Sequence, residues 1–151
     1  MSGSGSPLAT DFKKGFSGTL SDDVVSGMTA SLEQVTEAQL KAATAYPANG
    51  SIASLIFYVK AQCTVRGGKT FNGSAYGVSF PGGGALFGDV YLSGASSLDD
   101  LYRRTTQFAI TATPVYTAFY FMDSRGALLG HFQAGSVSTV SGNLAGSGKW
   151  S

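Results

Sequence analysis

One cysteine, one histidine, one tryptophan and four prolines stand among 151 residues. A lone Cys63 rules out an internal disulfide framework. A lone His131 rules out the usual histidine-rich zinc site, and one cysteine does not supply the missing ligands. Charge is scarce too, at 13% of the chain, about half the share typical of soluble domains. Ser, Thr, Asn, Gln and Gly must therefore keep the surface wet. The net charge of +1 gives no electrostatic basis for nucleic-acid binding. Residues 1–50 carry five acids and three bases, and residues 51–151 carry four acids and seven bases. That excess is too thin for a phosphate-binding face. No apolar run approaches the roughly 18 residues of a membrane-spanning helix. Ser-Gly-Ser-Gly-Ser follows Met1, where a secretory signal would place a basic and then an apolar stretch.

Glycine is abundant, with 21 residues. From Pro81 onward it separates short runs that alternate apolar and polar, the mark of half-buried antiparallel strands. Residues 1–50 read differently. The Gly/Ser-rich opening predicts a flexible stretch, and 22–46 predicts a weak helix with Leu32, Val35, Leu40 and Ala43 on one side. Pro47-Ala-Asn-Gly50 is expected to end it.

Period-two alternation begins at Ser51. The first strand is expected to place Leu55, Phe57, Val59, Ala61, Cys63 and Val65 on one face. Gly67-Gly68 marks a hairpin turn, and a second strand is expected over 70–80. A third, 85–93, points Leu86, Val90 and Leu92 inward. Ser97 is a good N-cap for a short helix carrying Asp99 and Asp100 early and Arg103 and Arg104 late. Further strands are expected at 105–113 (Phe108, Ile110 and Ala112 on one side), 115–122, 127–133, 135–141 and 145–150. Asp123 to Gly126 forms a turn between two of them. Eight strands and one helix imply an all-β fold, a closed antiparallel barrel or a Greek-key sandwich. Strand-interior glycines (Gly73, Gly77, Gly88, Gly130 and Gly135) fit either the taper of a small barrel or a smooth concave binding surface.

Chemistry is sparse. His131 lies between Gly130 and Phe132 and reads as structural. A catalytic triad would need it beside Asp89, Asp99, Asp100 or Asp123. Cys63, on an apolar strand face, reads as a buried thiol. Gly82-Gly83-Gly84 lacks the Lys-Ser/Thr pair and following helix of a phosphate loop. No catalytic, cofactor or metal residue is assigned. Tyr58, Tyr91, Tyr116 and Tyr120, on outer strand faces, are the candidate partner contacts.

Four segments together resemble one family. They are Gly83-Gly-Ala-Leu-Phe-Gly88 with Val90-Tyr91; Asp99-Asp-Leu-Tyr102; Phe119-Tyr-Phe-Met-Asp123 before Leu128-Leu-Gly-His131; and Ala134-Gly-Ser-Val-Ser-Thr-Val140 before the terminal Gly/Ser/Trp. They resemble the Vap family, the virulence-associated proteins of rhodococcal intracellular pathogens and their relatives. The similarity covers about residues 51–151. It implies a closed eight-stranded antiparallel barrel of Greek-key type with one short helix, occupying 51–151 after a flexible or partly helical segment at 1–50. It also implies a secreted, non-enzymatic effector that aids survival in macrophages by disturbing phagosome maturation. The expected partner is a host protein or a membrane lipid, with no nucleic acid and no transmembrane segment, and the expected state is a monomer. The alternative is a carbohydrate-binding or hydrolytic barrel.

Overall fold

A computed structural model describes residues 45–76, 82–93, 97–113, 116–136 and 142–151. Of the helix expected over 22–46, residues 22–44 lie outside them, as do Gly77, Val78 and Phe80, while Ala45 and Tyr46 are not helical. The strands are β1 (Tyr46–Ser54), β2 (Tyr58–Val65), β3 (Thr70–Tyr76), β4 (Gly82–Leu92), β5 (Gln107–Ala112), β6 (Tyr116–Met122), β7 (Leu128–Ser136) and β8 (Gly142–Trp150), with helix α1 (Leu98–Arg104) between β4 and β5.

The strands close into one barrel in the order β1-β2-β3-β8-β5-β6-β7-β4, every neighbouring pair antiparallel. Split in half, the ring reads β4-β1-β2-β3 and β8-β5-β6-β7. Each half has the strand order of a Greek key.

Inward side chains follow the period-two pattern. Val59, Ala61, Cys63, Phe71, Leu86, Val90, Phe108, Ile110, Phe119, Phe121, Phe132 and Leu144 form one buried cluster. Phe71 lies at its centre, with ring centroids 4.9 Å from Phe108, 5.0 Å from Phe121 and 5.6 Å from Trp150. Phe108, Phe119 and Phe132 carry the ring contacts onward at 6.2 and 5.5 Å. An eight-stranded barrel is just wide enough to be filled by side chains, and here aromatic rings fill it.

Helix α1 is built as its sequence dictates. The Ser97 hydroxyl accepts from the Asp100 N–H at 3.2 Å, and Asp99 and Asp100 sit in the first turn with Arg103 and Arg104 in the last. Leu101 is buried, Tyr102 packs tilted against Trp150 at 5.0 Å, and Arg104 reaches Asp123 at 3.2 Å. The helix thus closes one end of the barrel.

Eight strands were expected and eight are present, but they divide the chain differently. The single strand expected from Ser51 to Val65 is two. The Leu55 N–H donates to the Tyr58 carbonyl at 2.8 Å, turning the chain between β1 and β2. Leu55 and Phe57, expected on the inner face, are 73% and 67% exposed. The odd-numbered apolar positions of β2 continue back through Phe57 and Leu55, which hides the turn, although the inward parity changes there, from Ile52 and Ser54 in β1 to Val59 and Ala61 in β2. Strand β1 itself begins at Tyr46, inside the segment expected to end a helix. Gly50 is a strand residue there because a Cβ would stand 2.7 Å from the Gln62 carbonyl oxygen. Pro47 sits next to the start of the strand, where a missing N–H is tolerated. In the other direction, the strands expected at 127–133 and 135–141 are one through Ser136. Gly135 pairs with Phe87 on one side and Tyr116 on the other.

Gly73, Gly88 and Gly130 face inward, which favours the taper reading over the concave-surface one. The backbone approaches are close. A Cβ on Gly88 would lie 1.9 Å from the Gln133 carbonyl oxygen, and one on Gly146 1.9 Å from that of Ser74. Around Gly135 nothing lies within 4 Å. We expect Gly146→Ala to lower unfolding free energy by about 2–3 kcal/mol, as overpacking does. Gly135→Ala should be neutral or slightly stabilising. Urea titration of both variants checks this, and equal losses would count against steric fit as the cause.

Candidate functional site

The four candidate tyrosines do not meet in one place. Tyr58 projects outward from β2, half-buried. Its hydroxyl pairs with the Ser74 hydroxyl at 2.9 Å and its ring meets Tyr76 edge-on at 5.4 Å. Tyr91 lies two strands round the barrel on β4, stacked on His131 at 5.3 Å with a 25° interplanar angle. Tyr120 flanks the same imidazole from β6 at 6.4 Å. It points outward, yet it is 0% exposed, so no partner reaches it while that face is covered. Tyr116 starts β6, half-buried, opposite Gly135.

His131 is buried at 1% exposure. The Gln133 side-chain amide lies 3.0 Å from Nδ1. If that amide donates, Nδ1 accepts and the ring proton belongs on Nε2. Burial pulls its pKa down to about 4. Burial also raises the Tyr91 phenol, with a smaller contribution from the Asp89 charge. Cys63 is fully buried and desolvation pushes its thiol well up, so a thiolate is not at hand. Burial pushes the Asp123 carboxyl up, but N–H donors from Ala127 and Arg125, together with Arg104, outweigh it and hold it low. That carboxyl is occupied in the β6–β7 turn, where Gly126 takes φ 82°. Among the described residues no three His, Cys, Asp or Glu side chains gather as a metal site.

The exposed apolar residues lie elsewhere. Leu55, Ile56 and Phe57 form the tip between β1 and β2, at 73%, 42% and 67% exposure. Tyr76, at the end of β3, is 67% exposed and pairs in register with Tyr58, so it stands at the same end of the barrel. Phe87 is 61% exposed on the outer side of β4. The sequence reading missed the tip. The signal was four apolar residues in a row, Leu55 to Tyr58, which strict alternation does not allow. Ile56 has φ 81°, a costly conformation for a β-branched residue. The Ile56 N–H donates to the Ser54 hydroxyl at 3.2 Å, which helps hold it.

Beside the tip, the outer face of β1, β2 and β3 carries a groove of about 530 Å³. Lys60, Gln62, Asn72, Ser74 and Tyr76 line it, and Gln62 donates to Asn72 at 2.7 Å. Polar side chains point outward here and phenyl rings inward, the reverse of a lipid-facing barrel band. No helix among the described residues is long and apolar enough to cross a membrane.

The family model described as Rhodococcus equi virulence-associated protein matches residues 3–151. The chain belongs to this family. Two solved structures from the intracellular pathogen Rhodococcus equi are similar to it. The virulence-associated protein VapB is 37% identical, with a TM-score of 0.66, over 72% of this chain and 96% of VapB. The virulence-associated protein VapD is 33% identical, with a TM-score of 0.67, over 72% of this chain and 97% of VapD. Comparison with curated protein sequences returns no match. Family membership supports a virulence-associated role, and the family is named for virulence rather than for catalysis.

The buried imidazole yields a pH prediction. Its folded pKa lies below the ordinary 6.5, so protonation favours the unfolded chain. The stability this neutral ring preserves is full above pH 6.5 and is lost as pH falls towards 4. The loss is about 3 kcal/mol at most. His131→Gln should flatten the fall in unfolding free energy between pH 7 and 4 relative to the parent. Parallel pH profiles would show that His131 is not the group that titrates.

Proposed function

We propose that this chain is a secreted, non-enzymatic virulence effector that aids survival in macrophages by disturbing phagosome maturation, and that it acts by contacting a host membrane lipid or protein. The observation that carries this reading is the exposed apolar tip Leu55-Ile56-Phe57, with Tyr76 beside it. Isolated exposed apolar residues are ordinary, but a contiguous cluster at the end of a barrel marks a contact surface. Backbone strain held at such a tip supports the same reading. Lys60 lies two residues along the outer face from Tyr58 and offers a positive charge to an anionic headgroup.

The interior supports the non-enzymatic part. Five phenylalanines, Phe71, Phe108, Phe119, Phe121 and Phe132, are 0% exposed and fill the space a substrate cavity would need. A ligand must be met from outside. The polar groove favours a second reading, a carbohydrate contact in which Gln62, Asn72 and Ser74 offer hydrogen bonds and Tyr76 a ring face.

Co-sedimentation with phosphatidylcholine vesicles, with and without an anionic lipid, tests the membrane version. The full chain should pellet, and Leu55→Ser with Phe57→Ser should weaken binding roughly tenfold or more without lowering the melting temperature. Equal pelleting of parent and variant would remove the tip as the contact. No pelleting of the parent at neutral or acidic pH would remove the membrane and leave a host protein.

A further inference from the structure

The middle of the outward side of β5, β6 and β7 is buried, while Gln107 and Gly135 at its margins are exposed. Ala109 and Thr111 point outward from β5, Ala118, Tyr120 and Met122 from β6, and His131 from β7. All lie between 0 and 5% exposure. Along the same strands Phe108, Ile110, Phe119, Phe121 and Phe132 fill the interior. Over this middle stretch the strands are therefore buried on both faces, whereas an antiparallel sheet ordinarily leaves one face to water. Neighbouring strands alone do not produce this. Asn72 has a comparable outward position at the middle of β3, between β2 and β8, and it is exposed.

Something in the chain must cover this face. Helix α1 does not, since its buried Leu101 belongs to the core at the barrel's end. The undescribed links 77–81, 94–96, 114–115 and 137–141 are at most five residues long and leave from strand ends. The patch runs from Thr111 and Ala118 to Met122, about 13 Å along the strands. We infer that part of residues 1–44 lies across the outer face of β5–β7, so that the segment preceding β1 docks on its own barrel.

Reach and composition both fit. Strand β1 begins at Tyr46, which pairs with Val90 of β4, and β4 borders β7. The chain thus enters the barrel about 10 Å, two strand spacings, from His131. Leu32, Val35, Leu40 and Ala43 supply an apolar side for Ala109, Ala118 and Met122 to meet. The covered face is distinct from the tip and the groove, so this inference stands or falls apart from the proposed function.

The full chain carries the test. Ala118→Cys places a small thiol on the face, and Lys60→Cys places one on the exposed polar side. Cys63 is buried and stays silent. Maleimide should label the Ala118→Cys chain at least roughly a hundredfold more slowly than the Lys60→Cys chain, the ratio set by the free energy of opening the cover. In a second arm, a benzophenone amino acid at Tyr120 is photolysed and the products are mapped by mass spectrometry. Cross-links into residues 1–44 support the inference. Equal labelling rates overturn it. So do cross-links confined to a second copy, seen as a dimer band that grows with concentration, or confined to the barrel's own loops.

Discussion

Aromatic rings fill this barrel only because the backbone gives way to them. Phe71 sits among Phe108, Phe121 and Trp150, and Gly73 and Gly148 pair directly beside it on β3 and β8. A Cβ at Gly73 would stand 2.6 Å from both Phe71 and Phe108, and one at Gly148 2.5 Å from Phe71. Large rings and missing side chains are two halves of one packing solution. Removing a buried phenyl group from such a core costs about 3–5 kcal/mol, a large part of the stability of a domain this size. The interior is thereby committed to stability, and any recognition is displaced to the outside.

The outside is not uniform. Around β1, β2 and β3 the outward residues are Lys60, Gln62, Thr64 and Asn72, paired across strands by short polar contacts such as Thr64 with Thr70 at 2.9 Å. Around β5, β6 and β7 they are Ala109, Ala118, Tyr120 and Met122, and they are closed from water. The two Greek-key halves therefore share a topology and differ in what their outer faces are for. One is a solvated wall with a groove. The other is a packing surface, and His131 is neutral there because it lies between Tyr91 and Tyr120 rather than in water.

Much of this was legible in the sequence. The all-β class, the strand number, the helix with its Ser97 cap, the Asp123 turn and the inward set Leu86, Val90, Phe108 and Ile110 all follow from periodicity and local hydrogen-bonding chemistry. So did the family, from four segments read together. The strand count came out right through two opposite errors. The apolar odd positions of β2 continue back through Phe57 and Leu55, which hid a division at the turn where the inward parity changes. Gly135 looks like punctuation although it pairs on both sides, which invented one. Tyr46–Gly50 has the composition of a turn because Gly50 answers a steric demand from Gln62 and Phe132, residues remote in sequence. Local rules cannot register a demand of that kind.

The candidate site was less legible for the same reason. Outward direction can be read from parity, and Tyr58, Tyr91 and Tyr120 do point outward. Exposure cannot, because it depends on what else lies against the face. Tyr120 and Tyr76 are both outward tyrosines, yet one is sealed and the other is 67% exposed. Function in a filled barrel depends on that second property. Most of the large apolar residues that the fold leaves uncovered, Leu55, Ile56, Phe57 and Tyr76, gather where Ile56 bends the backbone into a conformation its side chain disfavours, with Phe87 standing apart on β4.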